Sequence, residues 1–202
     1  GLDAVQAPLL GVSASALLGN RRNRHLPAAG EDLVAALAAA LNAVAARHGL
    51  HVVLVSHVVG PGVAADDREV SRRLAARLQV PHTVLAGDYR PEEIKGLVAS
   101  CRAFAGCRMH ANIAALDSGV PTLAIGYSHK TAGIMAALAL EDWVMPLQEL
   151  DAASLEASLE ALLRDGEAYR LRLAEALPVL RHRAMSNINL VERAMQGREA
   201  AQ

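Results

Sequence analysis

The segment from Gly106 to Lys130 carries the side chains whose types and spacing suggest chemistry. Arg108 and His110 lie two positions apart, directly after a buried apolar run and at the predicted start of a helix. On the first turn of a helix both side chains can point at one ligand, and the unpaired amides of that turn favour an anion. Arg108 offers several coplanar donors to a carboxylate or phosphate, and the imidazole of His110 can donate a hydrogen bond or transfer a proton. We therefore predict an anion-binding site here, with Met109 contributing a backbone amide.

A second polar group follows the next predicted strand, Thr122–Gly126. Lys130 can supply another positive charge there, with Tyr127, Ser128 and His129 as orienting groups. The alternative is that Lys130 begins a surface helix and that Tyr127 packs against a neighbouring element. Both interpretations remain open from the residues alone.

Two earlier loops also carry cationic or titratable side chains. Arg21, Arg22 and Arg24 follow the predicted first strand, Leu9–Ser15, and can help to hold an anionic ligand. A solvated loop, or a contact with another domain, is the simpler interpretation of these arginines. His57 follows the second strand, where it either faces the ligand cleft or, more simply, serves as a structural residue of its loop.

The cysteines and histidines do not suggest a metal site. Cys101 and Cys107 have neither the spacing of a metal-binding pair nor that of a disulfide framework, and the eight histidines form no cluster along the chain. No metal and no cofactor are therefore expected. Cys107, at a helix start, can have a lowered thiol pKa. Packing in the core is the simpler role for it.

These residues require a scaffold in which strands and helices alternate. Five apolar runs predict strands, at Leu9–Ser15, Val52–Val55, Thr83–Ala86, Arg102–Gly106 and Thr122–Gly126. Amphipathic segments separate them, and Asp66 or Asp67 is predicted to cap the second helix. Such a βαβ series predicts a parallel sheet with helices on both faces. Right-handed crossovers then bring the loops at the carboxyl ends of the strands to one edge of the sheet.

Composition excludes several classes of protein. The chain has 202 residues, 52% of them hydrophobic, which is enough to bury a core as a single domain over residues 1–202. A net charge of −1 and an aromatic content of 2% argue against a nucleic-acid partner.

No apolar run is long enough to span a membrane, and the opening residues do not resemble a secretory signal. The sparse cysteines predict a cytoplasmic location, and the absence of an initiating Met suggests an excised or processed fragment.

The central segment resembles the signature of the polysaccharide pyruvyl transferase family. The shared pattern is R-M-H-A-N-I-A-A-L-x-S-G-V-P-T-L-A-I-x-Y-x-x-K, in which Arg-x-His opens a helix and Gly-Val-Pro precedes a strand. The resemblance covers about Tyr89 to Leu147, and flanking residues that fit it are Glu92–Ile94, Gly133–Met135 and Leu140–Trp143. It implies one Rossmann-like half of a GT-B-like enzyme, with this chain as the C-terminal, donor-binding half and the N-terminal half absent.

The resemblance also implies an activity. Members of this family transfer a pyruvyl group from phosphoenolpyruvate to two hydroxyls of a saccharide, which gives a pyruvate ketal and phosphate. The Arg and His of the motif bind the donor, which assigns catalytic and binding roles to Arg108 and His110. Met109, Lys130, Tyr127, Arg21 and Arg24 are further candidates for substrate binding. The expected partners are phosphoenolpyruvate, a saccharide acceptor and the missing domain, and peripheral association with a lipid-linked sugar is compatible with this role.

Two alternatives remain from the sequence. One is the donor domain of a nucleotide-sugar-dependent GT-B glycosyltransferase, which would retain a UDP- or GDP-sugar and not phosphoenolpyruvate. The other is a non-catalytic interaction domain, in which changes to Arg108 or His110 would leave the partner interaction intact. The favoured hypothesis is decoration of a cell-surface or exopolysaccharide precursor with pyruvate.

Overall fold

The fold is an alternating α/β arrangement around one sheet. It was obtained as a computed structural model, which describes residues 5–19, 30–60, 66–126 and 129–199. The strands are β1 (Leu9–Ser13), β2 (His51–Val55), β3 (His82–Leu85), β4 (Cys101–Gly106), β5 (Thr122–Gly126) and β6 (Val144–Pro146). The helices are α1 (Gly30–His48), α2 (Asp67–Ala75), α3 (Pro91–Ala99), α4 (Met109–Asp117), α5 (His129–Ala137), α6 (Ala152–Arg164) and α7 (Gly166–Glu199). Short 3₁₀ turns cover Ala16–Gly19, Glu141–Trp143 and Leu147–Glu149.

All described strand pairs are parallel, in the order β3-β2-β1-β4-β5-β6. The chain builds the sheet outward in one direction from β1 to β3 and then crosses back to place β4 on the other side of β1. This reversal makes β1 and β4 the topological switch point of the sheet, where ligands bind in open α/β folds. The five predicted strands are confirmed to within about two residues at each end, and β6 adds a short edge strand.

The sheet is covered on both faces, as predicted. Along β2 the buried side chains alternate, with Val52 and Leu54 in one hydrophobic cluster and Val53 and Val55 in the other. The first cluster includes apolar residues of α1, α2, α6 and α7, and the second includes residues of α3 and α4. A strand with both faces buried needs apolar side chains at every position, which explains the continuous apolar run.

Local signals in the sequence explain where several helices begin and end. Pro91 opens α3, and the Glu93 carboxylate accepts a hydrogen bond from the Arg90 amide at 2.8 Å. At the start of α6, Asp151 accepts a hydrogen bond from the Ser154 amide at 2.9 Å. Gly49 follows α1 with φ of +60°, a left-handed conformation that glycine adopts without strain. No helix in the described ranges is both long and apolar enough to cross a membrane.

Candidate functional site

The candidate site lies at the carboxyl ends of β1 and β4, the switch point of the sheet. Ser13 and Gly106 are register partners there, and the Cys107 amide donates to the Ser13 carbonyl at 2.8 Å. Only Cys107 and Arg108 connect β4 to α4. Arg108 is the N-cap residue of α4 in an extended conformation and makes no side-chain capping bond to the first amides. The predicted helix start is therefore confirmed, and the first amides of α4 have no capping side chain at Arg108.

The tight turn depends on the close approach of Asn112 to Gly106. The Asn112 amide group donates to the Gly106 carbonyl at 3.0 Å, and its backbone N–H donates to the Arg108 carbonyl at 3.0 Å. A Cβ on Gly106 would lie 2.0 Å from Asn112 Oδ1, so only glycine fits. Asn112 is buried and was not singled out from the sequence, although it lies within the family motif. It holds the first turn of α4 against the end of β4.

Arg108 forms an ion pair with Asp67, the first residue of α2. Its Nε and Nη2 donate to the two carboxylate oxygens at 3.0 and 2.6 Å, which is a bidentate contact. Asp67 is fully buried, whereas the side chain of Arg108 is 21% exposed. One edge of the guanidinium is thus occupied, and its Nη1 edge is the part left to meet a ligand. Direct binding of the donor by Arg108 stays a prediction, restricted to that edge.

Asp67 joins three of the loops that face the site. Besides the contacts of Arg108, it accepts hydrogen bonds from the Ala16 amide at 2.8 Å and the Val58 amide at 2.9 Å. These amides follow β1 and β2, and Arg108 follows β4. The sequence placed an acid here only as a possible cap, and Asp66 takes that role through the Arg68 amide. Two adjacent acids at a helix start were the available signal, because only one of them can be the N-cap residue.

His57 also belongs to this site. Its Nδ1 is buried and has no hydrogen-bond partner among the residues that the structure describes. Burial lowers the pKa of His57, and the nearby charges of His110 and Arg108 lower it further against the opposing effect of Asp67. The sequence left open whether His57 faces the ligand cleft or is a structural residue of its loop. Its proximity to His110 arises only because the carboxyl ends of β2 and β4 meet at one edge.

The lowered pKa of His57 predicts how stability depends on pH. The unfolded chain binds a proton near the ordinary pKa of 6.5, while the folded protein does so only at lower pH. Below about 6.5 the unfolded state therefore holds more protons, and the free energy of unfolding should decrease as pH falls towards the folded-state pKa. Urea unfolding measures the free energy of unfolding at pH 7 and at pH 5, and His57→Gln should decrease the difference between the two values. An unchanged difference in His57→Gln would show that other groups cause the pH dependence.

The remaining predicted site residues are only partly placed. Lys130 lies exposed on the first turn of α5, after the exposed His129, and Met109 is half-buried at the start of α4. Tyr127, Ser128 and the loop containing Arg21, Arg22 and Arg24 lie outside the described residues. Their roles in substrate binding stay predictions. The predicted meeting of carboxyl-end loops is confirmed for those that follow β1, β2 and β4.

The cysteines are packing residues. Burial raises the pKa of the Cys101 and Cys107 thiols to about 12, against the lowered pKa that we considered for Cys107 at a helix start. For Cys107, loss of water around the thiolate, with the nearby charge of Asp67, outweighs the hydrogen bond to the Ser15 backbone and the charge of Arg108. Within the described parts of the chain, no group of three or more His, Cys, Asp or Glu residues could hold a metal ion.

Comparison with known proteins gives a family match over much of the chain. The family described as polysaccharide pyruvyl transferase matches residues 10–129, which include Asp67, Arg108 and His110. The amylovoran biosynthesis protein AmsJ of Erwinia amylovora is 30% identical over 140 residues, or 68% of this chain. That alignment covers 34% of AmsJ, so this chain spans about a third of the length of its curated relative.

Solved structures share the fold. A glycosyltransferase of kitacinnamycin has a TM-score of 0.56 at 19% identity, over 94% of this chain and 43% of that one. The UDP-GlcNAc 2-epimerase from Neisseria meningitidis has a TM-score of 0.52 at 12% identity, over 83% of this chain and 38% of that one. These likenesses confirm the predicted Rossmann-like, GT-B-like fold, and the chain spans about two fifths of each structure.

Proposed function

Because the chain belongs to the polysaccharide pyruvyl transferase family, we propose that it binds phosphoenolpyruvate and takes part in transferring the pyruvyl group to a saccharide. The observation that carries this proposal is the position of Arg108 and His110. Both residues lie within the matched family segment and on the first turn of α4, beside the switch point between β1 and β4.

The site suits a small dianionic or trianionic donor. The first amides of α4 and the helix dipole favour a phosphate or carboxylate. Arg108 adds a positive charge whose orientation is fixed by the buried carboxylate of Asp67. His110, exposed on the same turn, can donate to the phosphate or move a proton. Lys130, Tyr127, Arg21 and Arg24 are proposed as further contacts to the donor.

In the proposed reaction, two saccharide hydroxyls replace the phosphate at C2 of phosphoenolpyruvate. The oxygens of two saccharide hydroxyls form bonds to C2 of phosphoenolpyruvate, and the bond from C2 to the phosphate oxygen breaks. One hydroxyl proton is matched by the proton that C3 gains, and the other leaves on the released phosphate. Charge develops on that phosphate as it departs, so the fixed donors at the start of α4 would lower the barrier. No cofactor is required.

The proposal also includes a second domain. A second domain would complete the cleft and contribute to binding the saccharide, which would be a precursor of an exopolysaccharide or another cell-surface polymer. AmsJ is described as an amylovoran biosynthesis protein, which supports a role of this kind. We place the reaction in the cytoplasm because phosphoenolpyruvate is a cytosolic metabolite.

Calorimetric titration of the full chain with phosphoenolpyruvate tests the proposal. His110→Asn should raise the Kd by about tenfold to a hundredfold, since a hydrogen bond to a charged group contributes about 1.5–3 kcal/mol. His182→Asn is the matched control, because His182 is exposed on α7, away from the site, and its loss should leave the Kd unchanged.

UDP-glucose serves as the competing probe in the same experiment. Binding of UDP-glucose without binding of phosphoenolpyruvate would replace this proposal with a nucleotide-sugar-dependent glycosyltransferase. Binding of neither probe by the folded wild-type chain would contradict a donor site formed by this chain alone.

A further inference from the structure

A cavity of about 410 Å³ lies next to the candidate donor site, at the carboxyl ends of β2 and β3. We call it the β2–β3 cavity. The loops after these two strands, the first turns of α3 and one residue of α4 enclose it. Its principal lining residues are Ser56, His57, Val59, Asp88, Tyr89 and Ile94. The volume lies within the usual range for sites that bind small molecules.

The charges around the β2–β3 cavity do not suit a second anion. The side chain of Asp88 is 95% exposed, and its ion pair with Arg68 is long, with 4.0 Å between Nη1 and Oδ1. Lys95, which also lines the cavity, is paired with Asp117 through a short hydrogen bond. A phosphate would therefore meet a carboxylate and a cation that is already engaged. This polarity separates the cavity from the start of α4, where the first amides have no capping side chain from Arg108 and the Nη1 edge of Arg108 is not occupied by Asp67.

The walls of the cavity do suit a neutral ring bearing hydroxyls. Val59 and Tyr89 are 49% and 47% exposed, which is high for large apolar side chains. The Tyr89 ring is held close to the backbone of Gly87, where a Cβ would lie 3.3 Å from the ring. An exposed aromatic face can pack against the C–H face of a sugar. The carboxylate of Asp88 and the hydroxyl of Ser56 can bond to sugar hydroxyls.

His57 connects the cavity with the donor site. It lines the cavity, and the amide of its neighbour Val58 is bonded to the same Asp67 carboxylate that Arg108 binds. The charge of His110 is close enough to lower the pKa of His57, and burial lowers it more. The imidazole is therefore neutral near pH 7 and keeps one ring nitrogen as an acceptor. His57 is therefore shared between the cavity and the group of charged residues at the start of α4.

We propose that the β2–β3 cavity binds the sugar ring of the saccharide acceptor, with Tyr89 against the ring face and Asp88 and His57 as partners of its hydroxyls. This inference rests on the proposed pyruvyl transfer, which requires a hydroxyl-bearing acceptor beside the donor. It gives this chain, which the family resemblance implied only as a donor-binding half, a part in acceptor recognition.

The test is a titration of the full chain, with labelled histidine and tyrosine rings, followed by NMR. The probes are methyl β-D-glucopyranoside, methyl β-D-galactopyranoside and phosphoenolpyruvate. At least one glycoside should shift the His57 and Tyr89 signals in a saturable way. Tyr89→Ala should raise the Kd of that glycoside by about tenfold while the Kd of phosphoenolpyruvate stays unchanged. Leu171→Ala, which removes an exposed apolar side chain of α7, is the control.

A second variant tests the role of the Asp88 carboxylate. Asp88→Asn should weaken glycoside binding, whereas Asp142→Asn, an exposed acid in the turn before β6, should not. Unperturbed His57 and Tyr89 signals with both glycosides, or equal affinity in Tyr89→Ala, would overturn the inference even if phosphoenolpyruvate binds. Glycoside binding without phosphoenolpyruvate binding would instead overturn the proposed donor while the cavity remained a sugar site.

Discussion

Replacing Arg108 with alanine is expected to lower the free energy of unfolding by about 3–5 kcal/mol, the usual cost of removing one partner of a buried ion pair. The variant would leave the carboxylate of Asp67, which is fully buried, without its cation. The bonds from the amides of Ala16 and Val58 would remain, so the carboxylate would be only partly compensated.

Urea unfolding followed by the fluorescence of Trp143, the single tryptophan, measures this loss. Arg172→Ala is a suitable control, because Arg172 is an exposed residue of α7. Arg108→Lys keeps the charge but loses the bidentate contact, and should give a smaller loss. In the background of Asp67→Asn, Arg108→Ala should cost less than in the wild type, since the two changes affect one interaction.

A loss below about 1 kcal/mol in Arg108→Ala, as for a surface salt bridge, would contradict a structural role for this pair. The expected loss also bears on how ligand binding should be tested. Arg108→Ala would remove a ligand contact and also disturb the loops that Asp67 joins. Weak binding of phosphoenolpyruvate by this variant would therefore not distinguish the two effects. His110 is the more informative position, because its exposed side chain can be removed without leaving a buried charge.

Gly106→Ala is expected to destabilise the protein by about 3 kcal/mol, at the upper end of the usual cost of overpacking. The new methyl group would lie 2.0 Å from Asn112 Oδ1 and 2.8 Å from the ring of Phe104. Both neighbours are buried, so neither can simply turn towards solvent. Asn112 would have to move, and its bond to the Gly106 carbonyl would be lost together with the position of the α4 start.

Gly126→Ala provides a matched comparison, because Gly126 also ends a central strand. A Cβ there would meet its nearest neighbour, Thr131 Oγ1, at 3.5 Å, which is an ordinary contact. Thermal unfolding of the two variants should therefore show a large decrease in Tm for Gly106→Ala and little change for Gly126→Ala. The affinity for phosphoenolpyruvate should fall in Gly106→Ala, because the start of α4 is displaced. Equal Tm values would contradict the close packing of Asn112 against β4.

The sequence by itself determined the order of elements and the most important segment. Each strand–helix alternation is encoded locally, in continuous apolar runs, amphipathic spacing and capping residues such as Pro91 and Asp151. A parallel sheet then follows, because successive parallel strands need the intervening helices as crossovers. The start of α4 at Arg108–His110 was predictable for the same reason, since strand, turn and helix are adjacent in the chain.

Only the tertiary structure decided what those side chains contact. Arg108 and Asp67 are separated by 41 positions, and neither local periodicity nor helix capping specifies their pairing. The proximity of His57 to His110, and the cavity that His57 shares with Tyr89, likewise depend on strand order and on which loops meet at one edge of the sheet. Local propensity fixes elements, whereas a binding site is formed by long-range contacts that exist only after the sheet has assembled.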